Sequence, residues 1–210
     1  YNMNLVNNSV NNLFKASVTY KHNTLEDKYS NNQSLGLNLT NSTNFTKWLS
    51  LDLGAYFKIG EDNTQNYSVL SPGYSVLPYD DLVNADGSNY TKPMEERYNA
   101  STLGLYKKYG LYTMDITPLD ELDRQITTNK ELALRTYARL NIQFLPWLKY
   151  SASFQYERAS YRGETLQDKA SASVRGTVNG YAVANGDNSV SYMIPYGDIL
   201  NRTDQYLSLI

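Results

Sequence analysis

Carboxylates gather at two places in the chain, Asp80-Asp81 and the group Asp120, Glu121 and Asp123. Two acids held at a set separation run glycoside hydrolysis, one protonating the leaving group while the other attacks or activates water. Both groups here fall in turn-rich sequence, where neighbouring acids are ordinarily solvated. Asn84-Ala85-Asp86-Gly87 has the outline of a calcium loop, and placing Gly87 on that loop's glycine tests it. The first ligand position then falls on Leu82 and the last on Pro93, neither of which has a side-chain oxygen. An Asp-Gly turn fits instead. His22 is the single histidine, and no nucleophile elbow accompanies it, so it reads as an exposed strand-end residue. Zero cysteines exclude a disulfide framework and a thiolate zinc site. No catalytic residue, metal site or cofactor is expected, and the chain does not read as an enzyme.

Tyrosine is the remaining source of chemistry, with 20 in the chain. Tyr67, Tyr74, Tyr79, Tyr90, Tyr98, Tyr106, Tyr109 and Tyr112 fall in one weakly patterned stretch, and Tyr181, Tyr192 and Tyr196 in another. A phenol offers a stacking face and a hydrogen-bonding tip at low entropic cost. Loops rich in Tyr, Asn, Ser and Gly suit a binding surface for glycans, peptides or a protein partner. The candidate contacts are Tyr74, Tyr79, Asp80, Asp81, Tyr90, Tyr109, Tyr112, Tyr192 and Tyr196. The alternative is that the rings pack the loops onto one another.

The elements that must position these residues are strands. Period-2 alternation runs through Leu13–His22, Leu35–Thr40, Leu49–Gly60, Leu132–Phe144 and Leu148–Glu157. In the third, Leu49, Leu51, Leu53, Ala55, Phe57 and Ile59 oppose Ser50, Asp52, Gly54, Tyr56, Lys58 and Gly60. Such strands exceed the ~5–6 residues usual in globular proteins. The connections are lopsided. Leu145-Pro146-Trp147 is a tight turn and the link before Leu49 is short, whereas residues 61–130 and 160–202 carry almost no sustained alternation. Loops beyond ~12–15 residues are uncommon in compact domains. Short turns at one end and long loops at the other is the layout of an outer-membrane barrel. Both short turns contain Phe-x-x-Trp-Leu, at Phe45–Leu49 and Phe144–Leu148, and hold the only two tryptophans. Trp48 and Trp147 suit an aromatic girdle at a membrane interface; the alternative is that each covers the open end of a soluble β core. Pro118–Arg124 is a candidate for one or two helical turns, with Pro118 at its first position.

Several short motifs are spaced along the chain. Tyr1-Asn2-Met3-Asn4-Leu5 precedes the strand Leu13–Tyr20, with Val6-Asn7-Asn8-Ser9 between them, and Trp48-Leu49-Ser50-Leu51 opens another strand. Leu77-Pro78-Tyr79, Ala85-Asp86-Gly87, Thr117-Pro118-Leu119 and Ile194-Pro195-Tyr196-Gly197-Asp198-Ile199-Leu200 follow. In these motifs and their spacing the chain resembles the SusC/RagA family of TonB-dependent outer-membrane transporters of the Bacteroidetes. Val6–Ser9 stands where that family usually has Ser-Gly-Gly, and Asp198 where it has a second Gly. The resemblance implies a 22-stranded antiparallel transmembrane barrel, of which residues 1–210 would supply about six or seven strands of one barrel domain. It also implies a bacterial outer-membrane location and a SusD-like surface lipoprotein as partner. TonB would be engaged through a plug and TonB box that lie outside these residues. The ligand would be an oligosaccharide or a peptide, with outer-membrane lipid around the wall. The family carries no shared catalytic residue, and no ligand contact transfers by motif.

The physical reading agrees in outline. Burying an arginine in lipid costs ~2–4 kcal/mol at the midplane. The faces with Leu35, Leu37, Leu39, Leu51, Leu53 and Phe57 should therefore meet lipid, and those with Asn38, Asp52, Lys58, Arg135 and Arg139 a wet lumen or plug. The chain is 41% hydrophobic and 19% charged, below the ~25% charged residues of ordinary soluble domains. Mean hydropathy is -0.54 and no apolar run reaches the ~20 residues of a membrane helix. Net charge of -2 and a pI near 5.4 give no footprint for nucleic acid. The opening residues alternate without the basic and apolar regions of a signal peptide, and strand pattern at both termini reads as a portion of something longer. Two other readings remain open: a soluble or surface-attached β domain binding glycan through its Tyr-rich loops, and a passive porin or adhesin barrel.

Overall fold

The computed structural model describes residues 1–67 and 79–209. Seven strands make one antiparallel sheet: β1 (Asn2–Asn8), β2 (Asn12–Thr24), β3 (Asn31–Thr46), β4 (Leu49–Gln65), β5 (Gln125–Leu145), β6 (Leu148–Gln167) and β9 (Ile199–Leu209). A separate small hairpin pairs β7 (Ala182–Ala184) with β8 (Val190–Tyr192). The large sheet is an up-and-down meander in order β1-β2-β3-β4-β5-β6-β9, open, with β1 and β9 at its edges. β4, β5 and β6 run 17, 21 and 20 residues, several times the length of a typical strand.

Register places the alternation of each strand on common faces. Val18, Leu37, Phe57 and Leu134 stand in one row across β2 to β5. The next row toward the long loops is Tyr20, Leu35, Ile59 and Leu132. Leu51, Leu53 and Ala55 continue the same face toward the short turns, opposite Leu140, Ala138 and Thr136. Directly beyond Ile59 the face turns ionic: His22, Gln33, Glu61, Lys130, Arg162 and Asp204 are cross-strand neighbours in series. Within that row Lys130 Nζ lies 3.9 Å from Glu61 and Arg162 Nε donates to Asp204 at 3.0 Å. The opposite face carries Asp52, Lys58, Glu131, Arg135, Asn141 and Glu157. There Lys58 Nζ donates to Glu131 at 2.6 Å, Arg135 makes two bonds of 3.1 Å to Glu157, and Asn141 donates to Asp52 at 3.2 Å. Gly54 sits opposite Tyr137, whose ring occupies the space a Cβ would need. On β6 the apolar run stops sooner, Tyr156 being followed by Arg158. Strand tilt displaces a level band along successive strands in this way. β9 pairs only with Glu157–Gln167, beyond that run, and its Leu207 and Leu209 lie on the polar face.

The long connections are shorter than the alternation suggests. β4 continues to Gln65 and β5 begins at Gln125, so the first spans residues 66–124 rather than 61–130. The second spans 168–198 rather than 160–202, because β6 reaches Gln167 and β9 starts at Ile199. The strands outrun the pattern because the ladder is made by backbone groups. Where both faces are polar, as in Glu61–Gln65 and Ile126–Lys130, pairing persists without alternation. Both short turns leave two residues in the link, Lys47-Trp48 and Pro146-Trp147, and both follow a register shift at the preceding Phe45 or Phe144. None of the four link residues has a positive φ. Turns without positive φ splay right-twisted strands, and a bulge restores the twist. Trp48 and Trp147 project from these turns, both exposed.

Candidate functional site

The side chains buried together lie in the two long connections, which pack on one another. Ile116, Met94, Met114, Ala172 and Tyr67 form one cluster, and Val174 and Val178 are buried as well. α1 (Ala100–Tyr109) starts at Asn99, whose side chain accepts from the Thr102 N–H at 2.9 Å, and stops at Gly110 with φ of +59. That glycine is required, since a Cβ is strained in left-handed backbone. α2 (Ala172–Gly180) starts at Ser171, which accepts from the Val174 N–H at 3.2 Å.

Glu121 fastens the first connection to the second. Fully buried, its two carboxylate oxygens each accept from the Ala172 N–H at 3.1 Å, and one also accepts from Arg124 at 3.0 Å. An anion is favoured at a helix start, where N–H groups lack intrahelical partners and the dipole is positive. The expectation of a solvated acid is thus corrected for Glu121, because α2 supplies the hydrogen bonds that water would give. Pro118–Arg124 forms a single 3-10 turn, Glu121–Asp123, so Pro118 precedes it rather than opening it. A second fastening is made by Asn179. Its amide donates to the Tyr112 carbonyl at 2.8 Å and accepts from the Tyr112 N–H at 3.0 Å. Arg175 adds a 2.5 Å bond to the Asp115 carbonyl.

The candidate contacts separate. Tyr112, Tyr192 and Tyr196 come together: Tyr112 stacks on Tyr196 at 4.6 Å and lies 5.0 Å from Tyr192. Burial, then the neighbouring Tyr112 phenol, pushes the Tyr192 hydroxyl above its ordinary range. Tyr196 donates to the Lys169 carbonyl at 2.8 Å. Much of this aromatic surface is spent joining the two connections. Tyr109 ends α1 with Lys108 Nζ 4.9 Å from its ring, and Tyr90 donates to Glu96 at 3.2 Å. Tyr79 is almost wholly exposed. Asp80 accepts from Lys92 at 2.9 Å while Asp81 is exposed, so the adjacent acids have different surroundings. Tyr67 is buried, a core residue rather than a surface one. Tyr74 lies outside the described residues, as does Pro78. Among the described residues no three His, Asp or Glu side chains are grouped to hold a metal ion.

Two features escape a reading by strand pattern. On the polar face just below the connections is an open hollow of about 620 Å³, lined by Lys21, Lys58, Glu131, Tyr161 and Gln205 among others. Its residues come from six strands, β2 to β6 and β9, and only register brings them together. The second is a repeated turn. Asn84-Ala85-Asp86-Gly87-Ser88 and Asn185-Gly186-Asp187-Asn188-Ser189 make the same bonds, Asn to Ser Oγ at 2.9 and 2.8 Å and Ser Oγ to Asp at 2.6 Å in both. Their fourth residues, Gly87 and Asn188, have φ of +85 and +65. The expected Asp-Gly turn is thus one of a pair, and the shared Asn-x-Asp-x-Ser was the available signal.

In both turns the serine hydroxyl, then its backbone N–H, holds the aspartate below its ordinary value of 3.8. A carboxylate depressed by folding stabilises above its unfolded value and loses that contribution as pH falls through the folded one. The Ser88 and Ser189 amide chemical shifts are therefore expected to hold steady at mildly acidic pH and to move only below about 3.8, in both turns together. Movement already at mildly acidic pH would contradict this.

Fold and site define a mostly antiparallel β protein: an open, long-stranded meander with a structured cap of two interlocked connections. Among the described residues no helix is long and apolar enough to cross a membrane. No protein-family model matches the chain, and no curated protein matches it either.

Proposed function

We propose that this chain is part of the wall of an outer-membrane β-barrel, an early barrel segment of a TonB-dependent active transporter of the SusC/RagA kind. One observation carries the reading: a continuous apolar face, one barrel wall high, ending in an ionic row. From Leu49 to Ile59 the rise of ~3.4 Å per residue gives roughly 34 Å along the strand, or about 24 Å at a ~45° tilt. The lipid-facing band of such barrels is ~25 Å tall. Polar strand extensions and the interlocked connections then stand outside the membrane on one side, with Trp48 and Trp147 at the opposite interface. A water-soluble sheet would need its apolar face covered by a second layer, whereas the described connections pack on each other and leave Leu35, Leu53, Ile59 and Leu132 exposed. Backbone groups in lipid must all be paired, so β1 and β9 would join further strands of the same wall.

Import of an oligosaccharide or peptide, with a SusD-like lipoprotein outside and TonB driving a plug inside, rests on the motif resemblance. The tyrosines left exposed, Tyr79 and Tyr181 among them, and the hollow around Lys58 and Glu131 are where a polar ligand would meet this wall. Fractionation of cells making the native full-length protein tests the location. It should stay with outer membranes through salt and alkaline washes and leave only in detergent. Recovery in soluble form would sink the proposal and favour the soluble glycan-binding domain.

A further inference from the structure

Asparagine followed by glycine occurs twice in the chain, at Asn179-Gly180 and Asn185-Gly186. The pair is chemically vulnerable because glycine has no side chain to shield its amide nitrogen. That nitrogen can attack the Asn side-chain carbonyl carbon. A new C–N bond forms, the bond to the amide NH2 breaks, and ammonia departs with the proton the glycine nitrogen gives up. Water then opens the cyclic imide at either carbonyl, leaving aspartate or isoaspartate.

The two sites share a sequence and differ in setting. Asn179 is half-buried, and the Tyr112 backbone holds both its amide oxygen and its amide nitrogen. Gly180 lies within α2, where helical bonding turns its N–H toward the preceding turn and away from the Asn side chain. Asn185 and Gly186 are exposed at the tip of the β7–β8 hairpin. The Asn185 side chain is held only through its nitrogen, which donates to Ser189 and Ser191 hydroxyls at 2.8 and 3.1 Å. Its oxygen accepts no bond from the described residues, and a Cβ built on Gly186 would meet nothing within 4 Å. The carbonyl carbon is therefore open to attack, with hydroxyls beside the departing amine.

We propose that Asn185 is a site of spontaneous deamidation whose product unfastens the β7–β8 hairpin. An aspartate there has no proton for Ser189 or Ser191. It also sets a second carboxylate beside Asp187, which already takes the Ser189 hydroxyl proton at 2.6 Å. Isoaspartate further lengthens the backbone through a turn whose bonds, Asn185 N–H to the Ser189 carbonyl at 2.9 Å among them, are fixed by register. The sister turn is a built-in control: Asn84 makes the matching bonds but is followed by Ala85.

Peptide mass mapping of the full-length protein, aged in detergent at mildly alkaline pH, tests this. The Asn185 peptide should acquire the mass shift of NH2 replaced by OH while the Asn84 and Asn179 peptides keep their native mass. Gly186→Ala should suppress the shift, and the conformation of the sister turn shows that alanine fits this position. A synthetic peptide covering residues 182–192 serves as the clock. An unchanged Asn185 in the protein after that peptide has reacted would overturn the proposal. So would Asn84 or Asn179 reacting as fast as Asn185, or an unaltered rate in Gly186→Ala.

Discussion

Leu53→Arg is expected to abolish insertion of the full-length protein, while Asp52→Asn leaves insertion intact. The two residues are neighbours in β4 and point to opposite faces. Leu53 is 41% exposed, flanked in register by Asn41 and Ala138, and stands near the middle of the apolar run from Leu49 to Ile59. An arginine placed there meets hydrocarbon at a cost of ~2–4 kcal/mol, too deep for its side chain to reach either interface. Asp52 instead accepts from Asn141 at 3.2 Å on the polar face, where an amide of the same shape can still bond. The amount of folded protein recovered from outer membranes measures both. Equal tolerance of the two substitutions would reverse or dismiss the assigned faces.

Glu121→Ala is expected to release the two long connections from one another without disturbing the sheet. The change leaves the Ala172 N–H unpaired in the cap interior, while Arg124 keeps the Ala170 carbonyl at 3.3 Å and Asp120 at 3.7 Å. A buried donor left without its partner costs about 1–3 kcal/mol. The loss should be local, because β5 and β6 pair along their whole length without this residue. Hydrogen exchange should therefore rise through α2 and around Met114 and Ile116 and stay unchanged at Phe57 or Leu134. Glu121→Gln keeps an acceptor for the Ala172 N–H and should show a smaller rise. Unchanged protection of α2 in Glu121→Ala would show that Asn179, Arg175 and the Tyr112 stack hold the cap by themselves.

Strand identity was legible wherever one face is apolar, because alternation records two environments. The runs from Leu13, Leu35, Leu49, Leu132 and Leu148 all lie in the sheet, and their register joins the apolar positions into one face. Legibility ended where both faces are polar: residues such as Asn63 and Thr128 pair through backbone and leave no period behind. In the cap, the tyrosines stood out by type, but their partners are set by tertiary contacts. Nothing local distinguishes Tyr67, which is buried, from Tyr79, which is exposed. Glu121 was hidden for a similar reason, since the helix start it neutralises lies in the other connection. The repeated Asn-x-Asp-x-Ser turn was visible in the letters and acquires meaning only when its hydrogen bonds coincide.

None of the 210 residues is a cysteine, so no native thiol of this segment adds to a measurement of the wall itself. Single cysteines placed from Leu51 to Lys58 of the full-length protein, leaving Gly54 unchanged and assembled in membranes, can be exposed to a water-soluble thiol reagent and to a lipid-borne quencher. A barrel wall requires a period of two: cysteines at positions 51, 53, 55 and 57 quenched by lipid and shielded from the aqueous reagent, and those at 52, 56 and 58 free of quenching. Aqueous labelling of the Leu51, Leu53, Ala55 and Phe57 positions, or quenching without alternation, would contradict a membrane-spanning wall.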